Sequence, residues 1–92
     1  MEVELIEIKI AGLTATEFDQ NIDTINFWLT LLSDKDVDLF DAPIVIDASN
    51  NIIDGHHRVR ASVAAGRETI FAVRIIAGEI SSEAALEAAG KF

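Results

Sequence analysis

The sequence contains no cysteine, no tyrosine and a single proline among its 92 residues. Without cysteine the chain cannot form a disulfide, use a thiol nucleophile or bind a metal through thiolates. No apolar run approaches the ~18 residues that a membrane-spanning helix needs. The first ten residues lack the basic residues and the small-residue cleavage site of a secretory signal. These absences predict a soluble cytoplasmic protein that has no contact with a membrane.

Basic residues are also scarce, because 7 Lys and Arg stand against 16 Asp and Glu, for a net charge of -9. Residues 1–53 hold 11 acids and 2 bases, whereas residues 54–76 hold 2 acids and 4 arginines. Duplex DNA is bound largely by neutralising its phosphates with Lys and Arg, so an acidic body repels it. The charge distribution predicts no direct duplex-DNA binding, and the small basic segment suits a small anion.

The length and hydrophobic periodicity predict one α+β domain over residues 1–92, with helices packed on a small mixed sheet. A helix follows the apolar stripe Phe18, Ile22, Ile25, Leu29 and Leu32, and it starts either at the capping box Thr14–Glu17 or at Asn21. The alternation slips at Leu5–Ile6, which indicates a bulge or burial on both faces. The other predicted elements are strands at 3–10, 44–46, 52–53 and 69–76 and helices at 56–65 and 83–89.

One segment combines residue types that can bind an anion and transfer a proton. A short apolar strand runs into Asp54 and Gly55, and then His56, His57 and Arg58 open a helix. The first turn of a helix presents N–H groups and the positive end of the dipole, and glycine lets an anion approach the backbone. Arginine offers a planar fork for phosphate oxygens, and histidine donates a hydrogen bond or shuttles a proton. The pattern predicts a phosphate or nucleotide site, and its alternative is a tight turn with exposed His and Arg.

A metal site at His56 and His57 is disfavoured. Adjacent residues diverge by ~100° on a helix and point to opposite faces of a strand, so two neighbours rarely bind one ion. The chain offers neither H-x-x-x-H spacing nor cysteine partners. We therefore predict no protein-bound metal, apart from a Mg²⁺ that arrives with the phosphates of a nucleotide.

The runs Ala42–Asp47, Asn51–Ala61 and Ala65–Ile70 together resemble the ParB/sulfiredoxin superfamily. Its signature is an apolar strand, a turn, the pattern hydrophobic-hydrophobic-x-G-x-x-R-x-x-A, a helix that ends in A-G, and a further strand. The Asp-Gly-His-His-Arg form resembles the ParB-like subgroup that includes free-serine kinases and phage or plasmid ParB-like proteins. The resemblance covers residues 42–76 well and the N-terminal strand and helix loosely.

The resemblance implies a site for nucleotide phosphates, with ATP or CTP as the ligand and Mg²⁺ as its companion. Carried over by position, Gly55, His56, His57 and Arg58 form the phosphate cradle, and Asp54 orients the turn or helps to hold a metal. Sulfiredoxin chemistry needs a cysteine where this chain has His56. The kinases use a carboxylate base after the first strand, for which Glu17 is the nearest counterpart and Asp19 the second. His57 is the candidate proton shuttle.

Two functions follow. The favoured one is a minimal ParB-like domain, without a C-terminal helix-turn-helix domain, that binds a nucleotide, with or without ATP- or CTP-dependent phosphotransfer or hydrolysis. The alternative is a non-enzymatic interaction protein, such as a phage-type inhibitor or a DNA mimic, that reuses the fold. A protein partner would then meet the acidic loop, which carries Asp34, Asp36, Asp38 and Asp41. An acidic loop that only keeps the protein soluble explains the same residues.

Overall fold

The computed structural model describes residues 1–15, 22–32 and 40–91. Within them the chain folds as a four-stranded mixed sheet with packed helices, which confirms the predicted α+β class. No described helix is long and apolar enough to cross a membrane. The elements are β1 (Glu2–Lys9), a 3₁₀ turn (Ile10–Gly12), α1 (Ile22–Leu32), β2 (Ile44–Ile46), β3 (Ile52–Asp54), α2 (His56–Ala64), β4 (Thr69–Ala77) and α3 (Ser82–Ala88).

The sheet has the strand order β1-β4-β2-β3. β4 pairs antiparallel with β1 and parallel with β2, and β3 turns back antiparallel to β2 as a hairpin. Parallel neighbours need a crossover connection, and the path through β3 and α2 supplies it. This topology places the start of α2 beside the first residue of β2.

Each face of the sheet has its own hydrophobic core, because both faces are covered by helices. α1 and α2 cover one face, where their side chains join Ile44, Ile46, Ile70 and Ala72. α3 covers the other face, where Ala85 joins buried residues of β2 and β4. A strand buried on both faces loses its polar alternation, which explains why β2 is wholly apolar and wholly buried.

The packing decides one open point of the sequence, the slip in the apolar alternation of β1. Leu5 and Ile6 are both half-buried and pack into the two different cores, so burial on both faces causes the slip in their alternation. The irregular register of β1 falls instead between Glu2 and Val3. α1 is described from Ile22, Glu17 and Asn21 of the two predicted caps lie outside the described residues, and Thr14 forms a bridge with Asn51.

The hairpin turn that leads into β3 is organised by the Asp47 carboxylate. Its Oδ1 accepts hydrogen bonds from the backbone N–H groups of Ser49 and Asn51, both at 2.9 Å, and its Oδ2 accepts from the Asn51 side chain. Burial raises the pKa of Asp47, but these hydrogen bonds outweigh it and leave the pKa below its ordinary value. The turn therefore holds β3 best while Asp47 is ionised.

We expect Asp47→Asn to lower the stability of the domain mainly above pH ~4, where an ordinary aspartate is charged. A depressed folded-state pKa contributes stability above the unfolded pKa, and that contribution disappears as the pH falls through the folded value. The difference in unfolding free energy between parent and variant should therefore shrink on acidification. Urea titrations at pH 7, 5 and 3 measure it, and a difference that is constant with pH would contradict the assignment.

Candidate functional site

The predicted anion site is a sharp turn from β3 into α2. Asp54 ends the strand, and Gly55 occupies the N-cap position with φ 108° and ψ 20°. The helix begins at His56, and the Val59 N–H donates to the Gly55 carbonyl at 3.0 Å. No side chain caps this end of the helix. The backbone thus points the positive end of α2 toward the turn, which is the electrostatic requirement for binding an anion.

Only glycine fits at the N-cap position. A Cβ on Gly55 would overlap the Ile44 Cγ2 atom, lie 2.8 Å from the Ile44 Cβ atom and lie 3.2 Å from the Arg58 Nη2 atom. The positive φ of Gly55 is itself a conformation that other residues rarely adopt. The missing side chain lets the turn lie directly against the start of β2.

Arg58 connects the turn with the segment before β2 and with α1. Its Nη1 donates to the carbonyl oxygens of Ala42 at 2.7 Å and Pro43 at 2.9 Å, and its Nη2 lies 3.3 Å from the Asp54 Oδ2 atom. The guanidinium carbon lies 5.6 Å from the centre of the Trp28 ring. The side chain is only 14% exposed. Arg58 therefore holds four separate parts of the chain together.

Burial lowers the pKa of Arg58, and the charge of Asp54 partly offsets this effect. A guanidinium nevertheless stays protonated in proteins, so the buried charge needs its partners. Both terminal nitrogens of Arg58 donate to protein oxygens in this arrangement. The contact of Arg58 with a phosphate stays a prediction. An anion at the turn would contact a guanidinium that already donates hydrogen bonds to the protein.

The Asp54 carboxylate links two helices to the end of β3. Its Oδ2 receives the Arg58 contact and also a hydrogen bond from the Ser82 hydroxyl at 3.2 Å. Ser82 is the first residue of α3. The Asp54 side chain is 46% exposed, so one side of it still meets solvent beside the turn.

The two histidines occupy different environments. His56 is buried, with 6% exposure, whereas His57 is half-buried and Arg60 is exposed. The helix geometry explains the separation, since adjacent residues diverge while residues three apart lie on one side. The accessible side of α2 therefore presents His57 and Arg60, and His56 belongs to the packed side. Arg60 was not singled out in the sequence, although its spacing from His57 already indicates a shared face.

Several candidate residues lie outside the described residues, namely Glu17, Asp19, Asp34, Asp36 and Asp38. The fourth member of the acidic loop, Asp41, is 96% exposed and lies 3.5 Å from the Lys91 ammonium group. That ammonium group also lies 3.5 Å from the centre of the Phe40 ring. In the described part of the chain, no three His, Asp or Glu residues gather as a metal site would require.

Comparison with solved structures identifies the fold. A C-terminally truncated chromosome-partitioning protein ParB from Caulobacter crescentus, complexed with CTP-gamma-S, matches with a TM-score of 0.65 and 17% identity. The alignment covers 97% of this chain and 54% of the ParB chain. A Pnob8-like ParB-N domain matches with a TM-score of 0.52 and 18% identity, over 83% of this chain and 32% of that one.

The chain therefore has a ParB-like fold and spans about half the length of the first of these proteins. No model of a known protein family matches the sequence, and no curated protein matches it. The expected resemblance to ParB-like domains is confirmed at the level of the fold.

Proposed function

We propose that this domain binds a nucleoside triphosphate, with the phosphates held at the turn from Asp54 to Arg58. The observation that carries the proposal is the turn itself: a glycine with positive φ, packed against β2, opens a nine-residue helix next to basic side chains. A ParB protein of the same fold was solved with CTP-gamma-S, which supports a nucleotide as the ligand. CTP and ATP are the two candidates.

The exposure and the contacts of each residue indicate which groups would touch the phosphates and which would hold the turn. The backbone at the start of α2 and the accessible His57 would meet the phosphate oxygens. Arg58 would keep the turn closed against Ala42 and Pro43 and place its positive charge beneath the anion. Mg²⁺ would arrive bound to phosphate oxygens. The Asp54 carboxylate, which is 46% exposed beside the turn, would be available to coordinate it.

We also propose that the bound nucleotide is turned over. A phosphotransfer or hydrolysis reaction needs a group that takes a proton from the attacking hydroxyl or water, and positioning of the phosphates by fixed charges. Glu17 stays the predicted base, and His57 stays the predicted proton shuttle. Formation of the nucleoside diphosphate from ATP or CTP by the intact chain measures both reactions, and release of inorganic phosphate identifies hydrolysis.

Binding is tested by thermal unfolding with CTP, ATP and GTP, each with and without Mg²⁺. A ligand that binds only the folded state adds ~2.7 kcal/mol at 100 times its dissociation constant. For a domain of this size that corresponds to a rise in Tm of roughly 10 °C or more. If no nucleotide raises the Tm, the turn serves the fold alone and the proposal is wrong.

The site is located with His57→Ala. A hydrogen bond to a charged group contributes about 1.5–3 kcal/mol, so the affinity should fall about tenfold or more by calorimetry. Lys9→Ala is the matched control, because it removes a positive charge from an exposed position at the end of β1. We expect this control to bind as the parent does, and an equal loss in both variants would mean that His57 makes no specific contact with the phosphates.

A further inference from the structure

α3 is a short helix that is tied to the phosphate-binding turn at its first residue. It has seven residues, of which Ala85 is buried in the core. Isolated helices shorter than roughly 12 residues are only marginally stable in water, so the position of α3 depends on its contacts with the rest of the domain. One such contact is the hydrogen bond from the Ser82 hydroxyl to the Asp54 carboxylate. The start of α3 therefore lies beside the turn.

The chain reverses its direction directly after α3. Gly90 has φ 71°, and its N–H donates to the Glu87 carbonyl at 3.0 Å. The Lys91 N–H donates to the Leu86 carbonyl at 2.9 Å. These two hydrogen bonds form a Schellman motif, which ends a helix in a fixed geometry. The backbone therefore fixes the position from which the Lys91 side chain extends.

The Lys91 side chain is only 13% exposed and ends against the segment that precedes β2. Its ammonium nitrogen lies 3.5 Å from the centre of the Phe40 ring and 3.5 Å from the Asp41 Oδ1 atom. The Phe40 ring packs edge-on against Phe71 of β4, with 5.3 Å between the ring centres. Solvent screens the ion pair, because Asp41 is exposed. A cation that is largely withdrawn from water is attracted more strongly to an aromatic face, so Phe40 is the main partner of Lys91.

We infer that Lys91 is a positioning residue for the phosphate-binding turn and acts through residues 40–43. The inference rests on the proposed function, because it concerns the affinity of the same site. Arg58 keeps the turn closed by donating to the Ala42 and Pro43 carbonyls. These carbonyls directly follow the two residues that Lys91 contacts. A site binds less tightly when its competent conformation is only partly populated, so the contact with Phe40 raises the affinity by keeping this segment in place.

The test compares Lys91→Met with Lys91→Arg. Methionine keeps an unbranched side chain without the charge, whereas arginine keeps the charge and can lie over the same ring. Lys91→Met should weaken the binding of CTP and ATP, measured with Mg²⁺ by calorimetry, about two- to fivefold, which is the change that one cation–π contact represents. Lys91→Arg should restore the affinity of the parent. Lys9→Met is the matched control, because it removes the same side chain from the exposed end of β1, and it should bind as the parent does.

Amide hydrogen exchange without nucleotide separates positioning of the turn from stabilisation of the whole domain. In Lys91→Met, exchange should accelerate from Ala42 to Val45, because this segment loses its attachment to Lys91. The amides of β1 should exchange at the rate of the parent, since β1 pairs with β4 and lies outside the affected segment. A general loss of stability would instead accelerate exchange in every strand.

The outcomes distinguish the inference from the function on which it rests. If the parent binds no nucleotide, the proposed function itself is wrong. If the parent binds and Lys91→Met binds equally well, only the positioning role is wrong. Weaker binding together with faster exchange in every strand would also overturn that role, and so would an equal loss of affinity in Lys9→Met or in Lys91→Arg.

Discussion

Gly55→Ala is expected to remove a large part of the stability of the domain. The substituted residue would have to keep φ near 108° while its Cβ overlaps the Ile44 side chain, which is completely buried. A left-handed conformation costs a residue with a Cβ ~1–2 kcal/mol, and overpacking a core costs ~1–3 kcal/mol. The expected loss is therefore roughly 2–5 kcal/mol. A domain of this length has only ~5–14 kcal/mol in total.

Gly66→Ala separates the two causes of this loss. Gly66 also has a positive φ, of 79°, but a Cβ there would meet nothing within 4 Å. It should therefore show the conformational cost alone, ~1–2 kcal/mol. Urea unfolding of the two variants under the same conditions measures both free energies. Equal losses would mean that the contact with Ile44 relaxes without cost, and that glycine is needed at position 55 only for its backbone conformation.

Local patterns in the sequence predict most of the fold. The run Thr69–Ile76 is a strand because it is apolar and β-branched, and the structure extends it by one residue, to Ala77. The position of α2 follows from Gly55 at its start and Gly66 just after its end. In each case the deciding interaction joins residues that are close together along the chain, so a local sequence pattern is enough to predict the element.

The contacts that shape the site join residues that are far apart in the sequence. Arg58 bonds the carbonyls of Ala42 and Pro43, which are 16 and 15 residues away, and its guanidinium meets Trp28 thirty residues away. Any residue type supplies a backbone carbonyl, so no side-chain pattern marks these partners. The sequence could therefore predict that Arg58 is important, but only as a phosphate ligand. Its role in holding the turn needed the structure.

Arg58→Ala is expected to destabilise the domain by about 3 kcal/mol. The variant leaves the Ala42 and Pro43 carbonyls without the donor that now satisfies them, and each hydrogen bond to a charged group contributes about 1.5–3 kcal/mol. It also removes the cationic partner of Asp54 and the cation that covers Trp28. Arg58→Lys should recover only part of the loss, because an ammonium group lacks the planar fork that reaches both sides.

Arg60→Ala is the matched control, since it removes the same side chain two positions later from an exposed site on the same helix. A surface substitution of this kind usually changes stability by less than about 0.5 kcal/mol. Denaturant unfolding gives both values. Amide hydrogen exchange should also accelerate from Ala42 to Val45 in Arg58→Ala, because the segment loses its anchor to α2. If Arg58→Ala instead stays as stable as the parent and loses only its affinity for nucleotides, the guanidinium serves the ligand and not the turn. The contacts with Ala42 and Pro43 would then contribute nothing that the solvent does not replace.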